Sequence, residues 1–136
     1  MAQIIASSMR NNVFTGEDGN RSVDFGKHVL AAAAINDTVD LQVIPAGTKL
    51  VGVSLVNAAL GALTTISLGW RNKDGTAGGS ATALLAATST VAAAKTSSVF
   101  APIVFTQDAV LYATVAGGAA TGQIDTITDY LFQGTL

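Results

Sequence analysis

The chain has 136 residues and a mass of 13.7 kDa, the size of one domain, which leaves no room for separate cofactor and substrate domains. Hydrophobic residues make up 49%, enough for a core, but charged residues make up 12%, about half the usual share in a soluble domain. The net charge of -2 argues against nucleic-acid binding, and the absence of cysteine excludes disulfides and thiolate metal sites. With a single histidine, an enzyme is the less favoured class, and the low charge favours a subunit packed on neighbours in an assembly.

The first 20 residues predict an N-terminal arm ahead of a single β-sandwich domain at 21–136. A turn cluster, Gly16-Glu17-Asp18-Gly19-Asn20, closes the arm. Because the arm lacks the basic region and long apolar stretch of a signal peptide, we expect a protein that is not secreted. Four of its residues are too apolar for a solvated tail and are the candidate interface with a partner: Ile4, Ile5, Val13 and Phe14.

From residue 22 onward, side chains alternate with a period of two, which is typical of half-buried strands. Within each of the following sets, the side chains are predicted to share one face of their own strand: Val23, Phe25 and Lys27; Val39, Leu41 and Val43, opposite Thr38, Asp40 and Gln42; Val51, Val53 and Leu55; Ile66, Leu68 and Trp70; and Val99, Ala101, Ile103 and Phe105. About seven or eight short strands at this spacing predict an all-β sandwich or barrel. We expect a core that includes Val53, Leu55, Ile66, Leu68 and Phe105.

Two segments depart from this regular pattern. Residues 82–94 are rich in alanine but also contain threonine and valine, so they predict a short helix or an irregular excursion. Residues 50–70 carry no charge, and an uncharged run of this length is about what a membrane-spanning helix needs. Their period of two and their three glycines argue against a membrane span.

Carboxylates occur in pairs, but not in an arrangement that catalysis or metal binding requires. Asp37 and Asp40 face opposite sides of a strand, so turn capping and solvation are the expected roles. Asp125 and Asp129 share a face but lie about 13 Å apart along a strand, too far for a glycosidase pair. We expect them to be solvent-facing charges that discourage pairing at a sheet edge.

The remaining candidates have simple structural interpretations. The cluster from Gly75 to Ser80 lacks the lysine of a phosphate-binding loop and predicts an ordinary loop. His28 is expected at the surface or in an interface, and Trp70 either in the core or as an interface anchor. No catalytic, cofactor or metal site is predicted.

Three runs of sequence form a recurring pattern of turns and strands. In the first, a strand ending in Pro-Ala-Gly-Thr precedes an alternating apolar strand, at Ile44-Pro45-Ala46-Gly47-Thr48-Lys49-Leu50-Val51-Gly52-Val53-Ser54-Leu55-Val56. The second is Gln107-Asp108-Ala109-Val110-Leu111-Tyr112-Ala113-Thr114-Val115-Ala116-Gly117-Gly118-Ala119-Ala120, followed by Gly122-Gln123-Ile124-Asp125. The third is an aromatic last strand, Asp129-Tyr130-Leu131-Phe132. Together these runs resemble small structural proteins of tailed bacteriophages. The resemblance covers residues 37–70 and 105–133, carries no catalytic signature, and leaves 80–98 outside the pattern.

The resemblance implies a capsid decoration, or cement, protein: an antiparallel β-sandwich of jelly-roll type with an extended N-terminal arm. Such a protein is made in the host cytoplasm and sits on the outer surface of the virion. Its implied partners are the major capsid protein and copies of itself, as a homodimer or homotrimer, without nucleic acid, membrane or cofactor. Its implied role is non-enzymatic, the bridging of neighbouring capsid subunits. The alternative is a carbohydrate-binding or adhesin-like module of a phage fibre or cell surface, for which aromatic residues, at 6%, are scarce.

Overall fold

The computed structural model describes residues 2–10 and 21–133. Within these ranges the chain forms ten β-strands and a four-residue 3-10 helix, Ser7–Arg10, and contains no α-helix. The strands are β1 (Gln3–Ile5), β2 (Arg21–Ala33), β3 (Thr38–Ile44), β4 (Thr48–Asn57), β5 (Thr65–Asn72), β6 (Leu85–Ser89), β7 (Ala94–Ser97), β8 (Ile103–Val104), β9 (Ala109–Ala116) and β10 (Ala120–Phe132). No helix of the described part is long and apolar enough to span a membrane.

The strands form two sheets that pack face to face as a sandwich, which confirms the predicted fold class. Sheet 1 has the order β1-β3-β9-β5-β6, and sheet 2 has the order β2-β10-β4-β7, with β8 also paired to β4. All pairs are antiparallel except β1 with β3. The antiparallel pairs are nested along the chain: β2 pairs with β10, β3 with β9, β4 with β7, and β5 with β6.

The core lies between the two sheets and is built from the inward-facing residues of both. All five residues predicted in the core, Val53, Leu55, Ile66, Leu68 and Phe105, are buried. For Val53, Leu55, Ile66 and Leu68, the alternation with other residues reported the buried face correctly, as expected for strands with one face against a second sheet. The predicted common face of Val99, Ala101, Ile103 and Phe105 is wrong, because only Ile103–Val104 forms a strand and Val99 and Ala101 are exposed. Phe105 is buried from the loop that follows β8.

A bulge in β3 changes which side chains point into the sandwich from Gln42 onward. Val39 pairs with Ala113 and Asp40 with Tyr112, but the next paired residue is Gln42, so Leu41 is the extra residue of the bulge. Gln42 consequently turns into the sandwich, and Val43 is buried outside the core cluster. The predicted common face of Val39, Leu41 and Val43 is therefore wrong at its last residue.

A second bulge changes the start of β4. Tyr130 of β10 pairs with Leu50 and Asp129 with Gly52, so Val51 is the extra residue. Leu50 is fully buried in the core, whereas Val51 is only half-buried. The expectation that Val51 shares the core face of Val53 and Leu55 is thus wrong, because one inserted residue shifts the side-chain period.

The prediction of a helix or irregular segment over 82–94 is also wrong for its central part. Residues Leu85–Ser89 form β6, the last strand of sheet 1, and pair with β5 from Thr65 to Leu68. Leu84 and Leu85 are buried. Pairing with an existing strand edge and burial of these leucines outweigh the small helix preference of alanine.

Candidate interaction surfaces

The N-terminal segment forms an extra strand on sheet 1, a partner that the sequence did not indicate. β1 lies parallel to β3, with Gln3 opposite Thr38 and Ile5 opposite Asp40. Ile4 is half-buried and packs against the core, whereas Ile5 is 65% exposed. Of the predicted interface residues, these two therefore face different environments, and Val13 and Phe14 lie outside the described residues.

Polar contacts fasten this segment to the sandwich. The Asp37 carboxylate accepts hydrogen bonds from the backbone N–H groups of Ala2, at 2.9 Å, and Ala34, at 3.0 Å. These bonds lower the pKa of Asp37, because they stabilise its ionised form. The Ser8 hydroxyl donates to the Leu41 carbonyl at 2.8 Å and accepts from the Lys27 N–H at 3.3 Å, joining the two sheets. The bond from Ala34 confirms the turn-capping role predicted for Asp37, but the expectation that Asp37 is solvated is wrong, because the residue is buried.

A buried ion pair lies on the outer side of sheet 1. The Arg71 guanidinium donates to both oxygens of Asp40, at 2.8 and 2.7 Å, and lies 5.2 Å from the centre of the Tyr112 ring. Gln3 donates a further bond to Asp40 at 2.6 Å. The Asp40 side chain is only 3% exposed, so the expectation that it is solvated is wrong. Hydrogen bonding to Asp40 raises the pKa of Arg71, which stays charged.

The outer side of sheet 2 presents an apolar surface, which we call the β2 face: Val23, Phe25, Val29, Val56 and Ile127. The first three are exposed, Phe25 by 61%, and the other two are half-buried. Phe25 lies opposite Ile127 on β10, and a shallow cavity of about 260 Å³ is lined by Phe25, Gly26, Lys27, Val56, Asp125 and Ile127. An exposed aromatic beside a small cavity is typical of an interface anchor.

The alternation in β2 was detected from the sequence, but its apolar residues point outward. The signal that could have identified this orientation is Lys27, which shares the face of Val23 and Phe25 and would be costly inside a core. Charged side chains flank the β2 face. Asp129 accepts a hydrogen bond from Arg21 at 3.0 Å, and Asp125 accepts from Gln123. The two carboxylates lie on the outer side of β10, as predicted, and each has its own partner. Their predicted role in discouraging pairing at a sheet edge is wrong, because β10 is paired with β2 on one side and β4 on the other.

The other polar clusters have structural roles. A cleft of about 300 Å³ is lined by Lys73, Asp74, Gln107 and Asp108. Asp74 caps the turn to Thr76, which lowers the pKa of Asp74, and Asp108 accepts the N–H of Ala46. Across the described ranges, no three side chains of histidine or carboxylate type come together as metal ligands.

Trp70 and His28 are placed more clearly than the sequence allowed. The Trp70 ring packs against the core and meets the Phe105 ring edge-on, with centres 4.9 Å apart. The loop at Gly78 and Gly79 folds over the indole, since a side chain at either position would collide with Trp70 or Asn72. His28 is half-buried, and burial lowers its pKa, which favours the neutral imidazole at pH 7.

No protein-family model and no curated protein matches this chain. Solved structures do match. The chain is similar to one in the capsid of Ralstonia phage GP4, with a TM-score of 0.75 and 18% identity over 98% of this chain and 99% of the other. A chain in the capsid asymmetric unit of cyanophage Pam1 matches with a TM-score of 0.64 and 22% identity, over 86% and 88%. A third, in the acid-stable capsid of Helicobacter pylori bacteriophage KHP30, matches with a TM-score of 0.65 and 19% identity, over 88% and 94%. These likenesses show that the fold is shared.

Proposed function

We propose that this protein is a non-enzymatic structural component of a phage virion, which decorates the capsid and stabilises it by bridging neighbouring major capsid proteins. The observation that carries the proposal is the likeness, over nearly its whole length, to a chain in the capsid of Ralstonia phage GP4. Two further chains from phage capsids share the fold. The low content of charged residues supports the same role, because it suits a protein packed on neighbours.

We further infer that the sandwich is a jelly roll. The nested pairing of β2 with β10, β3 with β9, β4 with β7 and β5 with β6 supports this, because a long hairpin folded over into two sheets leaves such an order. We also propose that the protein is made in the host cytoplasm and then binds to the outer surface of the virion.

Bridging requires at least two contact surfaces on one subunit. Among the exposed apolar side chains of the described residues, Ile5 lies at the β1 edge of sheet 1, and the β2 face lies on sheet 2. We propose that the N-terminal arm, with Ile4, Ile5, Val13 and Phe14, contacts one neighbouring subunit and the β2 face another. Burial of apolar surface supplies roughly 25 cal/mol for each Å² covered, and many equivalent sites on one shell increase the total effect.

The carbohydrate-binding alternative needs an exposed aromatic platform for a sugar ring. Trp70, the candidate for that platform, is engaged with Phe105 and the core, and Tyr112 lies beneath Arg71. Phe25 is the exposed aromatic ring of the β2 face, and it is bordered by the apolar side chains Val56 and Ile127, with Lys27 and Asp125 beside them. Such a largely apolar border suits a protein contact better than a sugar ring, so these three rings together favour the structural role over the adhesin role.

A sedimentation assay with heads of the parent phage prepared without this protein tests the proposal. We expect the wild-type protein to sediment with the heads, and Ile5→Asp or Phe25→Asp to bind more weakly. Val99→Asp is the matched control, because Val99 is a 98% exposed aliphatic residue in the segment after β7, at the other edge of sheet 2 from β2. Absence of wild-type binding would overturn the proposal, and a glycan array would then test the adhesin alternative.

A further inference from the structure

Four of the seven cationic side chains of the chain lie on the outer side of sheet 2, around the β2 face. Arg21 and Lys49 belong to one row of paired residues across β10, and Lys27 and Lys95 belong to another. They share the outer side, because residues opposite each other in a sheet point the same way and both rows pass through outward-facing residues of β10. Along β2 the rows are about 20 Å apart, and the exposed ring of Phe25 lies between them. The apolar centre of the β2 face therefore has cations on two sides.

This side of sheet 2 is positive although the chain as a whole is negative. Its four cations are accompanied by two carboxylates, Asp125 and Asp129, which leaves a net charge of +2, against -2 for the whole chain. Asp129 is already bound by Arg21. The other three cations form no ion pair with any described residue, and we call them the lysine border: Lys27, Lys49 and Lys95. They are three of the four lysines in the chain, so lysine charge is concentrated around the β2 face.

A second copy of this chain does not supply the matching charges. If two β2 faces met, six border lysines, three from each copy, would share two carboxylates outside ion pairs, one Asp125 from each copy, whichever residues were matched. On the rest of the described chain, the exposed carboxylates are Asp74 and Asp108, and both share their cleft with Lys73. The other described carboxylates are buried or half-buried and hydrogen-bonded: Asp24, Asp37 and Asp40. No described surface of this chain therefore offers a group of carboxylates to the lysine border.

We propose that the β2 face and the lysine border bind a different protein, through a surface that presents carboxylates around an apolar centre. The shallow cavity beside Phe25 and Ile127 offers a place for an apolar side chain of that partner. Around it, the border lysines gain the opposite charges that this chain does not provide. A nucleic acid fits less well, because its phosphates match lysines but not an apolar centre. This inference rests on the proposed function, for which it names the chemistry of the contact surface on the major capsid protein.

Charge reversal tests the inference by sedimentation with heads of the parent phage prepared without this protein. Lys49→Glu and Lys95→Glu should each raise the dissociation constant roughly tenfold at low salt, because a like charge then faces the partner's carboxylates. The difference from the wild type should shrink at high salt, since exposed charges are screened. Lys73→Glu is the matched control, because it changes the net charge equally but lies outside sheet 2, and it should bind like the wild type. Circular dichroism of each variant checks that the sandwich is retained.

Cross-linking identifies the partner directly. A carbodiimide joins a lysine amine to a carboxylate that is in contact with it, and mass spectrometry of the digested heads then locates the joined residues. We expect border lysines joined to aspartate or glutamate residues of the major capsid protein, in cross-links that the free protein does not form.

The outcomes separate this inference from the proposed function. Wild-type binding together with equally tight binding by both border variants would overturn the inference and leave the capsid role intact. Border lysines joined on the heads only to carboxylates of this chain, either in a second copy or at Glu17 and Asp18 of the arm, would also overturn it. Failure of the wild type to bind would overturn the proposed function and this inference with it.

Discussion

The side-chain oxygen of Gln42 accepts a hydrogen bond of 2.6 Å from the hydroxyl of Thr128, which lies on the other sheet. Thr126 donates a second bond to the same oxygen, at 3.1 Å. All three side chains are buried, and a side chain at Gly26 would collide with Thr126. This polar bridge exists because the bulge at Leu41 turns Gln42 inward, toward the two threonines of β10. The register of β3 against β9 therefore decides that a polar side chain, Gln42, faces the interior at this point.

Replacing Gln42 with leucine should destabilise the protein. The substitution removes the shared acceptor and leaves two buried hydroxyls unpaired, each at a cost of about 1–3 kcal/mol. Urea unfolding measures the loss. In the triple variant Gln42→Leu/Thr126→Val/Thr128→Val the three polar groups of the bridge are gone together, and only the half-buried Asp24 loses a weak bond of 3.4 Å from the Gln42 amide. We therefore expect most of the stability to return. A triple variant as unstable as Gln42→Leu alone would show that packing, and not hydrogen bonding, dominates here.

Removal of the Arg71 side chain should be costly, because the Asp40 carboxylate then remains buried beside only Gln3. We expect Arg71→Met to lose roughly 2–4 kcal/mol, at the lower end of the range for a broken buried pair since the Arg71 side chain is 36% exposed. The exposed pair of Arg21 and Asp129 is the internal control, and Arg21→Met should change the unfolding free energy by about 0–1 kcal/mol. Equal losses in the two variants would contradict this ranking.

Acid should selectively weaken the contacts that hold the N-terminal segment. The folded pKa of Asp37 lies below its ordinary value of 3.8, so its hydrogen bonds to Ala2 and Ala34 stabilise the fold fully above that pH. The contribution is lost as pH falls through the lowered pKa. We therefore expect the stability advantage of the wild type over Asp37→Asn to shrink on acidification below about pH 4. Chemical denaturation at a series of pH values measures it, and a constant difference would contradict it.

Leu68→Ala should cost roughly 2–5 kcal/mol, because Leu68 is fully buried in β5, between β9 and β6, and its truncation leaves a cavity. Leu63→Ala removes the same atoms from an exposed loop and should leave stability nearly unchanged. Thermal and urea unfolding of the two variants compare them directly. A loss below half a kcal/mol for Leu68→Ala would mean that the assigned core face is wrong.

Leu63→Asn should make the isolated chain more stable, by about 0.5–1 kcal/mol, because the backbone of Leu63 is left-handed, with a φ of 62°, and asparagine tolerates this conformation better than leucine. Urea unfolding of the two proteins at the same low concentration measures the difference. A less stable Leu63→Asn variant would show that the backbone at this position is not strained.

Local patterns in the sequence were sufficient for the fold class and for much of the core. The alternation at Ile66 and Leu68 correctly reported the inner face of a strand, since a strand has a fixed period of two. The same rule failed at Val43 and Val51, because each follows or forms a bulge, and a bulge is defined by the pairing of the neighbouring strand. Nothing near these residues in the chain marks the extra position.

The sequence by itself determined that the chain is an all-β sandwich with low charge and no obvious chemistry. Only the tertiary structure decided which alternating faces are covered: Phe25 points outward although its strand alternates as cleanly as those in the core. It also decided that β1 and β6 are strands, because each gains its hydrogen bonds from the edge of an existing sheet. The physical reason is that periodicity is a property of the local backbone, whereas burial and pairing depend on residues far away along the chain.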